Sequence, residues 1–292
     1  MGRTITLTLL ALSAFAANSI LCRLALAGGL IDPLSFSALR LGSGALVLLP
    51  FLRAPGARNG VAESVPWSPF AAAALFTYAL AFSLAYVTLD AGVGALLLFG
   101  AVQATMLGAG FLSGERPSPV QAAGIVAALA GFLAQVLPGL SAPEPSGAAL
   151  MTLAGIAWGV YSLHGRRLAL PRTATARNFA LAAPLGLACL LPGLDHLHLE
   201  PRGALLALAS GALTSAMGYV LWYAALRGLT VTSAGLVQLA VPPLTAAAGM
   251  LLLAEELTLR FTLAALLTLG GIALAITGKR ADADLFAPGG RS

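Results

Sequence analysis

The sequence predicts an all-α polytopic membrane protein with ten transmembrane helices, and three observations carry that prediction. Of its 292 residues, 59% are hydrophobic and 9% charged, whereas a soluble domain carries about 25% charged residues; the mean hydropathy is +0.91. The charges are gathered into short clusters that leave long uncharged runs between them. Such runs in lipid must pair every backbone polar group internally, which makes them helices.

Crossing the ~30 Å hydrocarbon core takes about 20 apolar residues. Taken in order, the uncharged runs are 4–22, 64–89, 91–114, 117–143, 145–165, 178–194, 203–226, 228–254 and 261–278. A further segment, Pro33 to Arg53, qualifies if it carries Arg40 within it. The first run, with Arg3 ahead of it and small residues at Ala14 to Ala17, imitates a signal peptide. Because similar segments follow, it reads as the first span. Cys22 and Cys189 fall inside predicted helices and read as apolar packing, not as a disulfide.

Orientation follows from the positive-inside rule. With the N-terminus in the cytoplasm, the inner side holds Arg3, Arg53, Arg58, Arg116, Arg166, Arg167, Arg172, Arg177, Arg227, Lys279, Arg280 and Arg291. The outer side holds only Arg23, Arg202 and Arg260. Both termini are therefore expected to be cytoplasmic. The net charge of +5 does not imply a nucleic-acid partner, because the arginines sit at segment ends and form no basic stripe.

The chain also repeats itself. "FLSGERPS" (111–118) and "LLLAEELT" (251–258) each close an apolar run with a small residue, a glutamate and, three positions on, Ser or Thr. Setting Glu115 on Glu255 lays Thr105 on Thr245; upstream, Tyr86 falls on Tyr223, Phe82 on Tyr219, Ser19 on Ser162 and Arg23 on Arg166. The division expected is a first five-helix repeat at 1–140, a second at 146–280 and a cytoplasmic tail at 281–292. Five is odd, so the second copy lies inverted, an arrangement found in transporters with their site near the bilayer midplane.

Two five-helix halves whose fourth helices close on Gly114-Glu115-Arg116-Pro117-Ser118 and Ala254-Glu255-Glu256-Leu257-Thr258 resemble the EamA family of the drug/metabolite transporter superfamily. Trp158-Gly159 resembles the family's usual opening of a half; Phe15-Ala16 stands in that place in the first half and departs from it. The resemblance covers roughly residues 5–278. It implies an exporter of amino acids or other small metabolites in a bacterial cytoplasmic (inner) membrane, and within the family the chain looks most like aromatic amino-acid exporters.

The acids of the repeated motif have a local explanation. Ser118-Pro119-Val120-Gln121 reads as a helix start, with Ser at the cap and Pro at the first position, and Thr258 is placed to cap the last helix. A carboxylate just before a helix start sits at the positive end of the dipole. Glu115 and Glu255 thus read as staples between helices; the other reading is proton coupling.

Polar and aromatic groups inside spans point to a site, since burying them costs energy. In the third segment Tyr78, Phe82 and Tyr86 share one helical face, matched in the eighth by Ser215, Tyr219 and Tyr223, with Trp222 alongside. Asn18, Trp158 and Tyr161 face them from the first and sixth segments. Gln103 and Gln238 are central in the fourth and ninth. Tyr78, Phe82, Tyr219 and their neighbours form two aromatic stripes able to wall a cavity for a planar, amphipathic solute; the alternative is helix packing or an interfacial belt.

In "VQLAVPPLT" (237–245), Pro242 lacks an N–H and frees the carbonyl of Gln238, so Pro242 and Pro243 mark a hinge. Arg40 sits roughly 10 Å into its span at 1.5 Å per residue; it either reaches outward to Asp90 or Asp32 or binds a substrate carboxylate. The outer loop Asp195-His196-Leu197-His198-Leu199-Glu200 reads as solvated, with a metal site the lesser alternative.

No ATP-binding loop, nucleophile elbow or His-Glu-x-x-His sequence is present. The expectation is a transporter, not an enzyme, with no cofactor or metal. Its partners are a small solute and the lipid bilayer, and it works by alternating access without a driving ion. The competing readings are a broad drug or metabolite exporter, an intramembrane enzyme using His164, and a scaffold that oligomerises through Gly110-x-x-x-Gly114 or Gly155-x-x-x-Gly159.

Overall fold

The computed structural model describes residues 2–26, 28–52, 65–89, 91–114, 116–136, 145–166, 168, 170–191, 194, 197–245, 248, 263, 266–267, 269–275 and 277. Glu115, Glu255, Glu256, Asp90, Thr258, Asp195 and His196 lie outside them.

The described residues are helical almost throughout. In chain order the helices are α1 (Gly2–Leu26), α2 (Pro33–Leu48), α3 (Pro69–Ala85), α4 (Ala91–Leu112), α5 (Pro119–Val136), α6 (Pro145–Gly165), α7 (Pro171–Ala188) and α8 (Pro201–Leu226). The ninth, α9 (Val231–Gln238), is followed by helical residues at 241–245 and 269–275.

Proline opens six of these helices, where its missing N–H is no loss and its fixed φ is already helical. Side chains cap several helix starts, including some of these. Asp32 accepts the amides of Leu34 (3.0 Å) and Ser35 (2.9 Å), Ser68 that of Ala71 (3.1 Å), and Thr230 that of Ser233 (3.2 Å). The expected cap at Ser118 is present, accepting from Gln121 N at 3.3 Å. Just past the end of α4, Gly114 takes φ +82°, the left-handed conformation in which helices commonly stop.

Among the described residues, four helices are long and apolar enough to cross a membrane by themselves: Gly2–Leu26, Pro33–Phe51, Pro145–Gly165 and Pro201–Leu226. Pro69–Ala85, Leu97–Leu112, Pro119–Gly131 and Val231–Thr245 are apolar but shorter. The run 64–89 overestimates its helix because it includes the turn ahead of Pro69. The seventh segment corrects the expected boundaries most: it is not 178–194 but Pro171–Ala188, and it takes in Arg172 and Arg177. Those charges are tolerated near the helix end. Arg177 donates to the carbonyls of Leu52 (3.3 Å) and Val65 and lies over the Trp67 ring.

The outer surface is apolar, with Leu46, Phe70, Leu112, Val126 and Leu213 all exposed, as a lipid-facing surface requires. Inside, the helices pair as α2–α7, α4–α9, α3–α6, α1–α8, α2–α8, α3–α7, α2–α3 and α7–α8. Exchanging α1–α4 for α6–α9 maps this set onto itself; α4–α6 is the exception among the larger pairings. α5 and residues 269–275 cross through small residues: a Cβ on Gly124 would meet the backbone of Gly271 and Ala275, and one on Gly271 that of Gly124 and Ala128. Rising numbers on one helix against falling numbers on the other make the two antiparallel.

The glycine pair expected to mediate oligomers is used within the chain. On α6, Gly155 lies against the Leu98 carbonyl and Gly159 against Thr105, where an added Cβ would come within 2.8 Å. Small residues let backbones approach where lipid provides no hydrophobic drive for association. Gly155→Ala should therefore cost about 1–3 kcal/mol by overpacking. Gly42→Ala, with nothing within 4 Å of the added methyl, should leave stability unchanged or raised. Melting midpoints of the purified variants in detergent check both.

Candidate functional site

The helices converge on a buried guanidinium. Arg40 is 1% exposed and does not reach outward. Its Nε donates to Ser215 Oγ at 2.8 Å, and its Nη2 to Tyr219 Oη at 2.7 Å and Tyr78 Oη at 3.3 Å. Its face lies 5.1 Å from the centre of the Tyr78 ring and 5.6 Å from that of Phe82. The expected partner Asp32 is spent elsewhere, capping α2 and accepting the His198 amide at 3.0 Å. The pairing with Asp32 is thus overturned, because a cap at the helix start cannot follow a side chain two turns in. Asp90, the other expected partner, lies outside the described residues.

Around Arg40 stands an aromatic cluster. Trp158 is the hub, with ring centres 4.7 Å from Tyr219, 5.1 Å from Tyr78, 5.1 Å from Phe15 and 5.6 Å from Tyr161. Phe82 lies between Tyr78, tilted at 5.6 Å, and Tyr86, edge-on at 4.7 Å. Such pairs contribute about 0.5–1.5 kcal/mol each beyond the area they bury. Tyr78, Phe82, Trp158, Tyr161 and Tyr219 are thus brought together in one cluster.

The polar candidates occupy two positions beside the cluster. Asn18, on α1, accepts from Ser210 Oγ (2.6 Å) and Thr214 Oγ1 (3.1 Å) on α8. Gln238, at the end of α9, accepts from Trp158 Nε1 at 2.6 Å while its amide donates to the Ala234 carbonyl at 3.0 Å. Gln103 donates to the Gly235 carbonyl, tying α4 to α9. Trp222 is turned to packing, donating to Ser162 Oγ at 2.9 Å. Tyr223 likewise donates to the Tyr161 carbonyl at 3.1 Å.

Helix α8 is α-helical at Pro201–Ala209 and Gly218–Leu226 but π-helical at Ser210–Met217. The wider turn brings Ser210, Thr214 and Ser215 to the α1–α2 side together, and such segments concentrate at functional sites. Gly211 within it rests against the Arg40 carbonyl and Ser43. Helix α9 stops at Gln238, and the chain turns at Leu239–Ala240 before helix resumes ahead of Pro242 and Pro243, which fits the expected break.

Arg40 was singled out from the sequence, though not as the centre of the cluster; the π segment and Phe15 were not. Arg40 did carry a signal, as a lone charge inside a span. Phe15 carried one too, since it occupies the position that Trp158 holds in the other half. The π turn had none. Among the described residues no group of three metal-binding side chains is present, and His198 pairs with Glu200 at 3.6 Å.

Comparison with known proteins points to transporters. The model of the EamA-like transporter family matches residues 2–136 and 145–277. The uncharacterized protein PA1977 of Pseudomonas aeruginosa is 52% identical over 282 residues, 95% of this chain and 96% of that one. The threonine/homoserine exporter RhtA of Salmonella typhimurium is 30% identical over 230 residues, 76% of this chain and 74% of the exporter; RhtA of Escherichia coli K12 matches to the same extent. A solved crystal structure, 23% identical, superposes with a TM-score of 0.73 over 93% of this chain and 98% of its own, so the fold is shared.

The Trp158–Gln238 bond is open to a double-mutant cycle. Trp158→Phe strands the Gln238 carbonyl oxygen in a buried site, at a cost of about 1–3 kcal/mol. Adding Gln238→Leu should recover part of that, giving a coupling of about 0.5–2 kcal/mol in unfolding from detergent micelles.

Proposed function

The chain belongs to the EamA-like transporter family, and on that premise we propose that it exports amino acids with aromatic or apolar side chains by alternating access. The observation that carries this is the Tyr78–Trp158–Tyr219 cluster. It draws on α3 of the first half and on α6 and α8 of the second, and it surrounds a polar group inside the bundle. Flat, polarisable rings around a few fixed donors suit an amphipathic solute.

In this reading the halves, 1–140 and 146–280, are inverted repeats with both termini in the cytoplasm. The exchangeable helix pairings and the antiparallel crossing of α5 with 269–275 support it. Rocking of one half on the other parts the rings on one membrane face at a time. The break at Leu239–Ala240 and the π segment of α8 are where the helices yield. The described spans bury no carboxylate, which favours facilitated diffusion across the inner membrane.

A second reading is favoured by the hydroxyl-rich side of the site. Asn18, Ser210, Thr214 and Ser215 suit a hydroxy amino acid, the kind of solute named for the RhtA relatives. Counterflow of labelled phenylalanine, tryptophan and threonine in proteoliposomes separates the two. The proposal expects saturable exchange of the aromatic pair, unaffected by a pH gradient. Threonine exchange alone moves the assignment to the second reading, and accumulation only under a gradient makes the acids coupling groups.

Tyr219→Ala removes one wall and should raise the half-saturating phenylalanine concentration about tenfold while the protein remains folded. An unchanged value for every solute removes the cluster from the substrate path.

A further inference from the structure

The donors of Arg40 are not all used. A guanidinium has five N–H groups and no acceptor. Nε is taken by Ser215, and both Nη2 hydrogens by Tyr219 and Tyr78, but Nη1 is buried with no partner. Among the described residues Arg40 is the only buried charged side chain. Its three hydrogen-bond partners are neutral hydroxyls, and both oxygens of Asp32 already accept backbone amides. The bundle thus holds a positive charge with two unspent donors, in a medium where each such donor costs about 1–3 kcal/mol.

We propose that the Nη1–Nη2 edge of Arg40 is the binding site for the carboxylate of the transported solute. The planar fork matches a carboxylate bidentately. One oxygen accepts from Nη1, and the other accepts from Nη2 in place of Tyr78, whose 3.3 Å bond is the longest of the three. The charge is then neutralised inside the bundle, and the freed Tyr78 hydroxyl remains beside the ligand. The aromatic rings that already lie on the guanidinium, Tyr78 and Phe82, receive the rest of the solute.

The class of ligand follows. It is an organic acid with an apolar or short polar body, recognised through its carboxylate, so that the matching amide or amine is refused. This assignment rests on the transport reading for its solute but not for its chemistry.

The test pairs an acid with its uncharged-carbonyl analogue: phenylalanine against phenylalaninamide, threonine against threoninamide, and 3-phenylpropionate as a carboxylate with no amine. Binding to the purified protein is read from tryptophan fluorescence, since Trp158 packs on Tyr78, and counterflow is measured in parallel. At least one acid is expected to bind about 30-fold or more tightly than its amide. Arg40→Lys should keep part of that preference and Arg40→Gln should abolish it.

Equal binding of acid and amide by the unaltered protein overturns the proposal, as does no response to any acid, and neither result needs a variant to fold. A preference that survives in Arg40→Gln overturns it too. Carboxylate-selective binding without flux of any solute leaves the Arg40 site standing and removes the transport reading. Flux with no discrimination does the reverse.

Discussion

A single guanidinium buried among apolar helices is the constraint around which this bundle is organised. An arginine at the centre of a span costs about 3 kcal/mol even by the mildest scale, and Arg40 has no described carboxylate to offset it. The answer is local hydrogen bonding. Hydroxyls from α3 and α8 converge on it, and two aromatic faces lie against it. Each of those side chains must be held in place by its own helix, so the charge fixes how α2, α3 and α8 stand to one another.

Two packing chemistries make that arrangement possible. Glycine and alanine line the crossings at Gly155, Gly211 and Gly271, where backbones touch directly. In lipid, association rests on such close contact, because burying leucine against leucine gains little over burying it against acyl chains. The large residues are withheld from these crossings and concentrated at the centre, where Trp158, Tyr161, Tyr219, Trp222 and Tyr223 are all buried. Bulk at the middle and small residues at the crossings give a bundle that is tight at its seams and polarisable within.

The same centre is where the helices are least regular. The π segment of α8 and the turn at Leu239–Ala240 both lie next to the aromatic cluster. An α-helix satisfies its own backbone and resists bending; a π turn or a proline pair leaves carbonyls free and lets the axis shift. Among the described residues, irregularity is concentrated where the polar groups meet, at the π segment and at Leu239–Ala240.

Much of this was legible in the chain because membrane burial is written in composition. The scarcity of charge, the spacing of its clusters and the prolines that open helices determined the helical class and most of the helix order. Internal matches such as Phe82 with Tyr219 located the aromatic stripes, whose members share faces through simple helical periodicity. Partner choice was not legible. Nothing in the sequence says that Arg40 turns inward to Ser215, 175 positions away, and not to the nearby Asp32, because hydrogen-bond geometry depends on distances that local periodicity does not encode. Nor does periodicity reveal the π turn, whose Ser215 hydroxyl accepts from Arg40 and whose Ser210 and Thr214 hydroxyls donate to Asn18. Composition and spacing decided what lies in the membrane; only the packed helices decided which polar groups meet, since that depends on how closely their glycines let them approach.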